Sequence, residues 1–103
     1  MEFVYKLILV DRLFIEENWT DEDEAITSRH FNNLLKMKEE NRLVLAGKTA
    51  GLDTNTFGLV IFTADSLEDA EEVMRNDPAI KEGIMTGTLQ EYNVALINES
   101  YKK

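Results

Sequence analysis

The stretch from residue 20 to residue 47, TDEDEAITSRHFNNLLKMKEENRLVLAG, decides the fold and carries the one histidine of the chain. At 3.6 residues per turn, residues 26–37 form an amphipathic helix with Ile26 and Leu34 in its apolar half. His30 falls between them, so its imidazole is predicted to point towards the body of the protein. A titratable ring in that position needs a partner, and a structural histidine bonded to a backbone carbonyl is the simplest reading.

The segments on either side of this helix alternate between strands and helices. Residue 41, an asparagine, is predicted to end the helix, because asparagine tolerates the left-handed conformation of a C-terminal cap. Strands are predicted at 3–10, 43–47, 57–64 and 89–97, with a second helix capped by residue 65 or 66. The order β-α-β-β-α-β predicts an α+β, ferredoxin-like domain with an antiparallel sheet and both helices on one face. Residues 1–98 are assigned to this single domain, and residues 99–103 to a C-terminal tail.

The acidic run DEDE at residues 21–24 is predicted to be the solvated first turn of the first helix. Thr20 or Asp21 can cap that helix, and the positive end of the helix dipole favours carboxylates there. The run lacks the spaced ligands and the glycine of a calcium loop, so no metal site is predicted.

Composition narrows the classes of partner. The formal net charge is −9, from 20 acidic and 11 basic side chains, which argues against binding to nucleic acid or to an anionic membrane surface. The chain has no cysteine, which excludes disulfides and thiolate chemistry, and no cofactor is expected. No run approaches the roughly 20 apolar residues of a membrane span. A cytoplasmic protein is the simplest expectation.

The first and third predicted strands are apolar on both faces. Two helices can cover only one face of the sheet, and an apolar patch of that size is unusual on a monomer. The other face is therefore expected to be buried against a second copy, sheet on sheet, in a homodimer.

Asp77 is the second candidate functional residue. An aspartate followed by proline is typical of a helix N-cap with proline at the first helical position. A carboxylate has several acceptor positions, so a cap can also bind an imidazole nitrogen of His30. Such a pair is suited to moving protons near neutral pH, since the aspartate orients the ring and the histidine serves as general base or acid.

The chain resembles the YCII-related (YciI-like) domain family over essentially its whole length. The resemblance depends on the order and spacing of several short motifs rather than on any one of them. These are Phe3-Val4-Tyr5, His30-Phe31-x-x-Leu34, Arg42-Leu43-Val44-Leu45-Ala46-Gly47, Ser66-Leu67-Glu68-Asp69-Ala70 and Asn76-Asp77-Pro78-Ala79-Ile80-x-x-Gly83.

The resemblance implies a dimeric α+β barrel of ferredoxin-like protomers, with His30 and Asp77 at the positions of the family's active-site pair. One branch of the family removes chloride from chlorinated hydroxyquinol-type aromatics. The chain departs from the family pattern at two positions: Thr27 replaces an arginine that is often three residues before the histidine, and Lys48 replaces a proline after Gly47. Both departures bear on which ligand is held.

Two hypotheses follow. In the first, His30 and Asp77 catalyse proton transfer on a small organic molecule, as in a lyase, isomerase or dehydrohalogenase. Phe31 would form an apolar wall in that enzyme, and Arg29 or Lys48 would balance a substrate anion. In the second, the protein is a non-catalytic dimeric ligand-binding or stress-associated module in which the same two side chains hold the helices together. A pocket beside His30 that is large enough for a ring compound favours the first hypothesis.

Overall fold

The fold is a four-stranded antiparallel sheet with helices on one face, seen in a computed structural model that describes residues 1–101. The strands are β1 (Glu2–Leu9), β2 (Leu43–Lys48), β3 (Gly58–Thr63) and β4 (Met85–Tyr92), and the helices are α1 (Asp21–Glu39), α2 (Leu67–Arg75) and α3 (Pro78–Lys81). The strand order is β2-β3-β1-β4. The predicted α+β, ferredoxin-like class is thus confirmed, with α3 as one short additional helix. The last two residues of the predicted tail, 102 and 103, lie outside the described residues.

Helix α1 begins and ends where the sequence predicts, but its first turn is not entirely solvated. Thr20 is the N-cap, and its side chain accepts a hydrogen bond from the backbone N–H of Asp23 while the Asp23 carboxylate accepts one from the Thr20 backbone. Asn41 has a φ of 59°, as expected of a left-handed residue after a helix. Asp23 is 2% exposed, so the prediction that the whole acidic run is solvated was wrong at this residue. The reason is Arg12, which lies in the single helical turn Asp11–Phe14 after β1 and binds the Asp23 carboxylate.

The prediction for the last strand was wrong by four to five residues. Strand β4 starts at Met85 and ends at Tyr92, whereas the predicted strand ran from 89 to 97. The register explains the difference, because β4 pairs with β1 from Met85 opposite Leu9 to Tyr92 opposite Glu2. Residues beyond Tyr92 have passed the end of the strand that they would pair with, although they keep an alternating apolar pattern.

The core lies between the sheet and the helices. Side chains of β1 alternate, so that Phe3, Tyr5 and Leu7 are buried against residues of α1 and α2 such as Leu34 and Ala70. The other side of β1 faces away from the helices.

No helix among residues 1–101 has both the length and the apolar content needed to cross a bilayer.

Candidate functional site

Asp77 lies at the junction between α2 and α3, where it is completely buried. Helix α2 cannot continue through this point, because a residue that precedes proline avoids the helical region, and Asp77 has an extended backbone (φ −60°, ψ 124°). Its Oδ1 accepts a hydrogen bond from the backbone N–H of Ala79 at 3.0 Å, with Pro78 at the first helical position. Asp77 is therefore the N-cap of α3.

His30 meets the same carboxylate from α1, which packs against α3. The distance between His30 Nδ1 and Asp77 Oδ1 is 2.6 Å, although the two residues are 47 positions apart in the chain. The His30 side chain is 13% exposed. No hydrogen bond joins Nε2 to any residue from 1 to 101, and no buried side-chain nitrogen in that range lacks a partner, so Nε2 must reach solvent-accessible space.

Tyr5 completes a group of three side chains that the sequence reasoning did not foresee. Its hydroxyl donates to Asp77 Oδ2 at 2.6 Å, and its ring is completely buried in β1. Burial, together with the negative charge of Asp77, raises the pKa of the Tyr5 hydroxyl far above its usual range, so this group stays protonated. One signal was available in the sequence: a tyrosine on the inner face of a central strand needs a hydrogen-bond partner for its hydroxyl.

A cavity of about 390 Å³ opens beside His30, between α1 and the β2–β3 edge of the sheet. This volume is within the range of small-molecule sites, roughly 300–1,000 Å³. Its wall is mainly apolar and includes several aromatic rings. The residues that line it are Leu7, Leu9, Trp19, Thr27, His30, Phe31, Leu34, Ala46, Gly47, Lys48, Leu52, Thr56, Phe57, Gly58, Leu59, Val60 and Met85.

Two of the three predicted substrate-binding residues lie at the cavity, and the third does not. Phe31 and Lys48 both line the cavity, on α1 and at the end of β2 respectively. Arg29 does not line it, and its guanidinium instead forms surface ion pairs with Glu82 at 2.8 Å and Glu22 at 3.2 Å. One position along a helix turns a side chain by about 100°, which is enough to move Arg29 off the face that carries His30.

Few of the residues that line the cavity are polar. They are His30, whose Nδ1 contacts the buried Asp77 carboxylate, and Lys48, Thr27 and Thr56. Within residues 1–101, no group of three or more histidine, aspartate or glutamate side chains is arranged to hold a metal ion.

Comparison with known families agrees with this geometry. The sequence model of the YCII-related domain matches residues 10–95. The chain belongs to the YCII-related domain family. A search of curated proteins returned no match to this YCII-related protein.

Among solved structures, the YCII-related chain is similar to 5-chloro-2-hydroxyhydroquinone dehydrochlorinase (TftG) from Burkholderia phenoliruptrix AC1100, in complex with 2,5-dihydroxybenzoquinone. The TM-score is 0.68 and the sequence identity is 19%, over 90% of this chain and 94% of the other. At this identity the likeness establishes the shared fold alone.

Proposed function

We propose that this protein is an enzyme that moves a proton on a small ring compound, with His30 as the general base and acid and Asp77 as its orienting partner. The observation that carries the proposal is the contact of 2.6 Å between His30 Nδ1 and the buried Asp77 carboxylate at the wall of the cavity. Nδ1 is engaged by the carboxylate, so Nε2 is the nitrogen available to a bound molecule.

The size and wall of the cavity suit a ring with several substituents. A cavity of roughly 150 Å³ already accommodates benzene in a protein interior, and this one measures about 390 Å³. Phe31 contributes an aromatic wall on the α1 side. Lys48 contributes a positive charge for an acidic hydroxyl or carboxylate of the substrate. We leave Arg29 out of the proposed site because its guanidinium is bound to Glu82 and Glu22.

The chemistry available to this arrangement is a proton transfer in two steps. Nε2 accepts a proton from a substrate O–H or C–H bond, and the Asp77 carboxylate stabilises the imidazolium that forms. The electron pair left on the substrate then either expels a leaving anion such as chloride, with net loss of HX, or is protonated at another atom by the imidazolium. The first outcome is a dehydrohalogenation and the second is an isomerisation.

The proposal also includes a homodimer. The face of the sheet away from the helices carries apolar side chains, among them Ile8, which is 39% exposed, and Leu45, which is 51% exposed. We propose that two copies pack sheet on sheet through this face, as the ferredoxin-like architecture of dimeric α+β barrels allows.

The test uses compounds related to the one named for the structurally similar dehydrochlorinase. Chlorinated hydroxyhydroquinones and their unchlorinated analogues are incubated in D₂O, and chloride release and deuterium incorporation are followed by NMR. The expected result is turnover by the wild type and a loss of about 10²–10⁴-fold in His30→Gln, which keeps an N–H donor for Asp77 but cannot exchange a proton.

The matched control is Phe31→Leu, which changes the cavity wall and leaves the His30–Asp77 contact in place. It should raise KM more than it lowers kcat. Equal turnover in wild type and His30→Gln would overturn the proposal, as would a wild type that binds these compounds and transfers no proton.

A further inference from the structure

Tyr5 is a buried group that the proton-transfer mechanism leaves unused. It lies on β1, which is paired with β3 on one side and β4 on the other, in the middle of the sheet. Its ring packs edge-on against Phe62, with the ring centroids 5.5 Å apart. Both rings are completely buried and neither lines the cavity, so Tyr5 does not contact a bound molecule there.

The hydrogen-bonding capacity of the three side chains fixes the direction of each bond. The Tyr5 hydroxyl has one hydrogen, and it donates that hydrogen to Asp77 Oδ2. The backbone N–H of Ala79 can only donate, and its acceptor is Asp77 Oδ1. Both carboxylate oxygens are therefore acceptors.

The remaining contact of Asp77 Oδ1 is His30 Nδ1 at 2.6 Å, so Nδ1 must carry a hydrogen. In a neutral ring that leaves the lone pair on Nε2, which is the atom that reaches solvent-accessible space beside the cavity.

We propose that Tyr5 is a positioning residue: it holds the Asp77 carboxylate in the orientation that accepts the hydrogen of His30 Nδ1, and it thereby favours Nε2 as the basic nitrogen of the site. The tautomer follows from the geometry of the free protein; only its catalytic consequence rests on the proposed function. Without the Tyr5 hydroxyl, Oδ2 loses its only donor within the described residues, and the carboxylate is held through Oδ1 alone, by the Ala79 N–H. The carboxylate can then turn about its Cβ–Cγ bond, which loosens the contact between Oδ1 and His30 Nδ1 and weakens the preference for a hydrogen on Nδ1.

The competing explanation is that Tyr5 only fills the core. The bond of 2.6 Å from its hydroxyl to the buried Asp77 carboxylate argues against it, because a side chain that only fills the core needs no hydrogen-bond partner. An apolar phenylalanine would fill the same volume with less desolvation, as Phe3 and Phe62 do on the same face of the sheet.

The experiment is Tyr5→Phe, read by ¹⁵N NMR of histidine-labelled protein. His30 is the only histidine, so the spectrum contains a single imidazole. In the wild type at a pH where the ring is neutral, the Nδ1 shift should be that of a protonated nitrogen and the Nε2 shift that of an unprotonated one. In Tyr5→Phe the two shifts should move towards each other, because the preference for a hydrogen on Nδ1 becomes weaker.

Activity gives a second readout where turnover is found. Tyr5→Phe should lower kcat about tenfold and leave KM unchanged, since Tyr5 supports a reacting group from behind and does not touch the ligand. The matched control is Phe62→Leu, which disturbs the same part of the core without removing a hydroxyl. It should leave the His30 tautomer as in the wild type.

A second variant keeps the Tyr5 hydroxyl and nearly the same ring volume. Replacing tyrosine throughout by 3-fluorotyrosine makes the Tyr5 hydroxyl a stronger donor, and the other two tyrosines, Tyr92 and Tyr101, are exposed. The His30 ¹⁵N shifts should keep the wild-type pattern in this protein, because the hydroxyl still holds Oδ2.

Unchanged shifts in folded Tyr5→Phe would overturn the inference, as would loss of the preference for a hydrogen on Nδ1 in the fluorinated protein. A changed tautomer in Tyr5→Phe, together with a wild type that transfers no proton, would instead support the positioning role and contradict the proposed function. Failure of the inference about Tyr5 and failure of the proposed function therefore give different results.

Discussion

The Arg12 guanidinium binds both carboxylate oxygens of Asp23, with Nη1–Oδ2 and Nη2–Oδ1 distances of 2.8 and 2.6 Å. This pair ties the segment after β1 to the first turn of α1. The same segment includes Trp19, which lines the cavity and donates its indole N–H to the Leu13 carbonyl. The ion pair therefore supports one wall of the candidate site as well as the start of the helix.

The Arg12–Asp23 pair predicts a pH-dependent stability. The hydrogen bonds from Arg12 and from the Thr20 backbone hold the pKa of the Asp23 carboxyl far below its usual range. A carboxyl whose pKa is lower in the folded state stabilises the fold above its unfolded value, roughly pH 4, and loses that contribution as the pH falls towards the folded value. Asp23→Asn should therefore have a lower urea midpoint than the wild type at pH 7, and the gap should narrow by pH 2.5.

The control for this prediction is Asp21→Asn, an exposed aspartate in the same helical turn. It should change the urea midpoint little at either pH. A gap between wild type and Asp23→Asn that is equally large at pH 7 and pH 2.5 would contradict the assignment of the pH dependence to this pair.

Asp77 should contribute more to stability than a helix cap does. Removing its carboxylate in Asp77→Ala leaves the Tyr5 hydroxyl and the Ala79 N–H without an acceptor in a buried position. We expect a loss of about 2–4 kcal/mol in the free energy of unfolding, measured by urea denaturation. Ser66→Ala removes only a cap hydrogen bond, to the Asp69 N–H at the start of α2, and should cost about 1 kcal/mol. If Asp77→Ala and Ser66→Ala lost the same free energy of unfolding, Asp77 would act only as a helix cap.

Lys48 should determine affinity for anionic ligands. Lys48 lines the cavity, and no ion pair engages its ammonium group among residues 1–101. Lys48→Met is expected to weaken binding of an anionic ring compound about tenfold and to leave a neutral analogue unaffected, as measured by titration calorimetry. Arg29→Met is the matched control and should change neither affinity, since Arg29 is paired with Glu82 away from the cavity. Weaker binding in Arg29→Met together with unchanged binding in Lys48→Met would instead indicate that Arg29 contacts the ligand.

The proposed dimer can be tested on the outer face of the sheet. Ile8→Glu adds a charge to an apolar side chain that alternation directs away from the helices, and it should convert dimer to monomer in light scattering after size exclusion. Leu67→Glu is the control: Leu67 is 51% exposed at the start of α2, outside the sheet. A wild-type mass of one chain, or an unchanged dimer in Ile8→Glu, would contradict the proposed interface.

What the sequence predicted well are features with a local physical cause. The helical period gave the inward direction of His30, and the proline after Asp77 gave the N-cap of α3. The element order alone was enough for the α+β, ferredoxin-like class. The direction of His30 and the cap of α3 depend on residues within one or two turns of each other, and each element in the order was predicted from its own local pattern.

What the sequence could not supply are pairings between distant segments. Tyr5 and Asp77 are 72 positions apart, and no local period indicates that they meet. The burial of Asp23 depends on Arg12, a residue outside the helix. The bounds of β4 depend on its register with β1, which the alternating residues 93–97 do not reveal. Arg29 was proposed for the site because it lies close to Thr27, the position of the family's frequent arginine, but the helix turns its side chain to another face.

The buried pair of Tyr5 and Asp77 and the cavity wall come largely from different parts of the protein. Asp77 is the N-cap of α3 and Tyr5 lies on β1, one of the two inner strands, whereas much of the wall comes from edge strand β2 and the loop that joins it to β3. Surface loops and edges tolerate substitution and insertion far better than a central strand does. A protein built in this way can acquire a new ligand specificity by exchanging its edge and loop, while the buried pair is inherited unchanged.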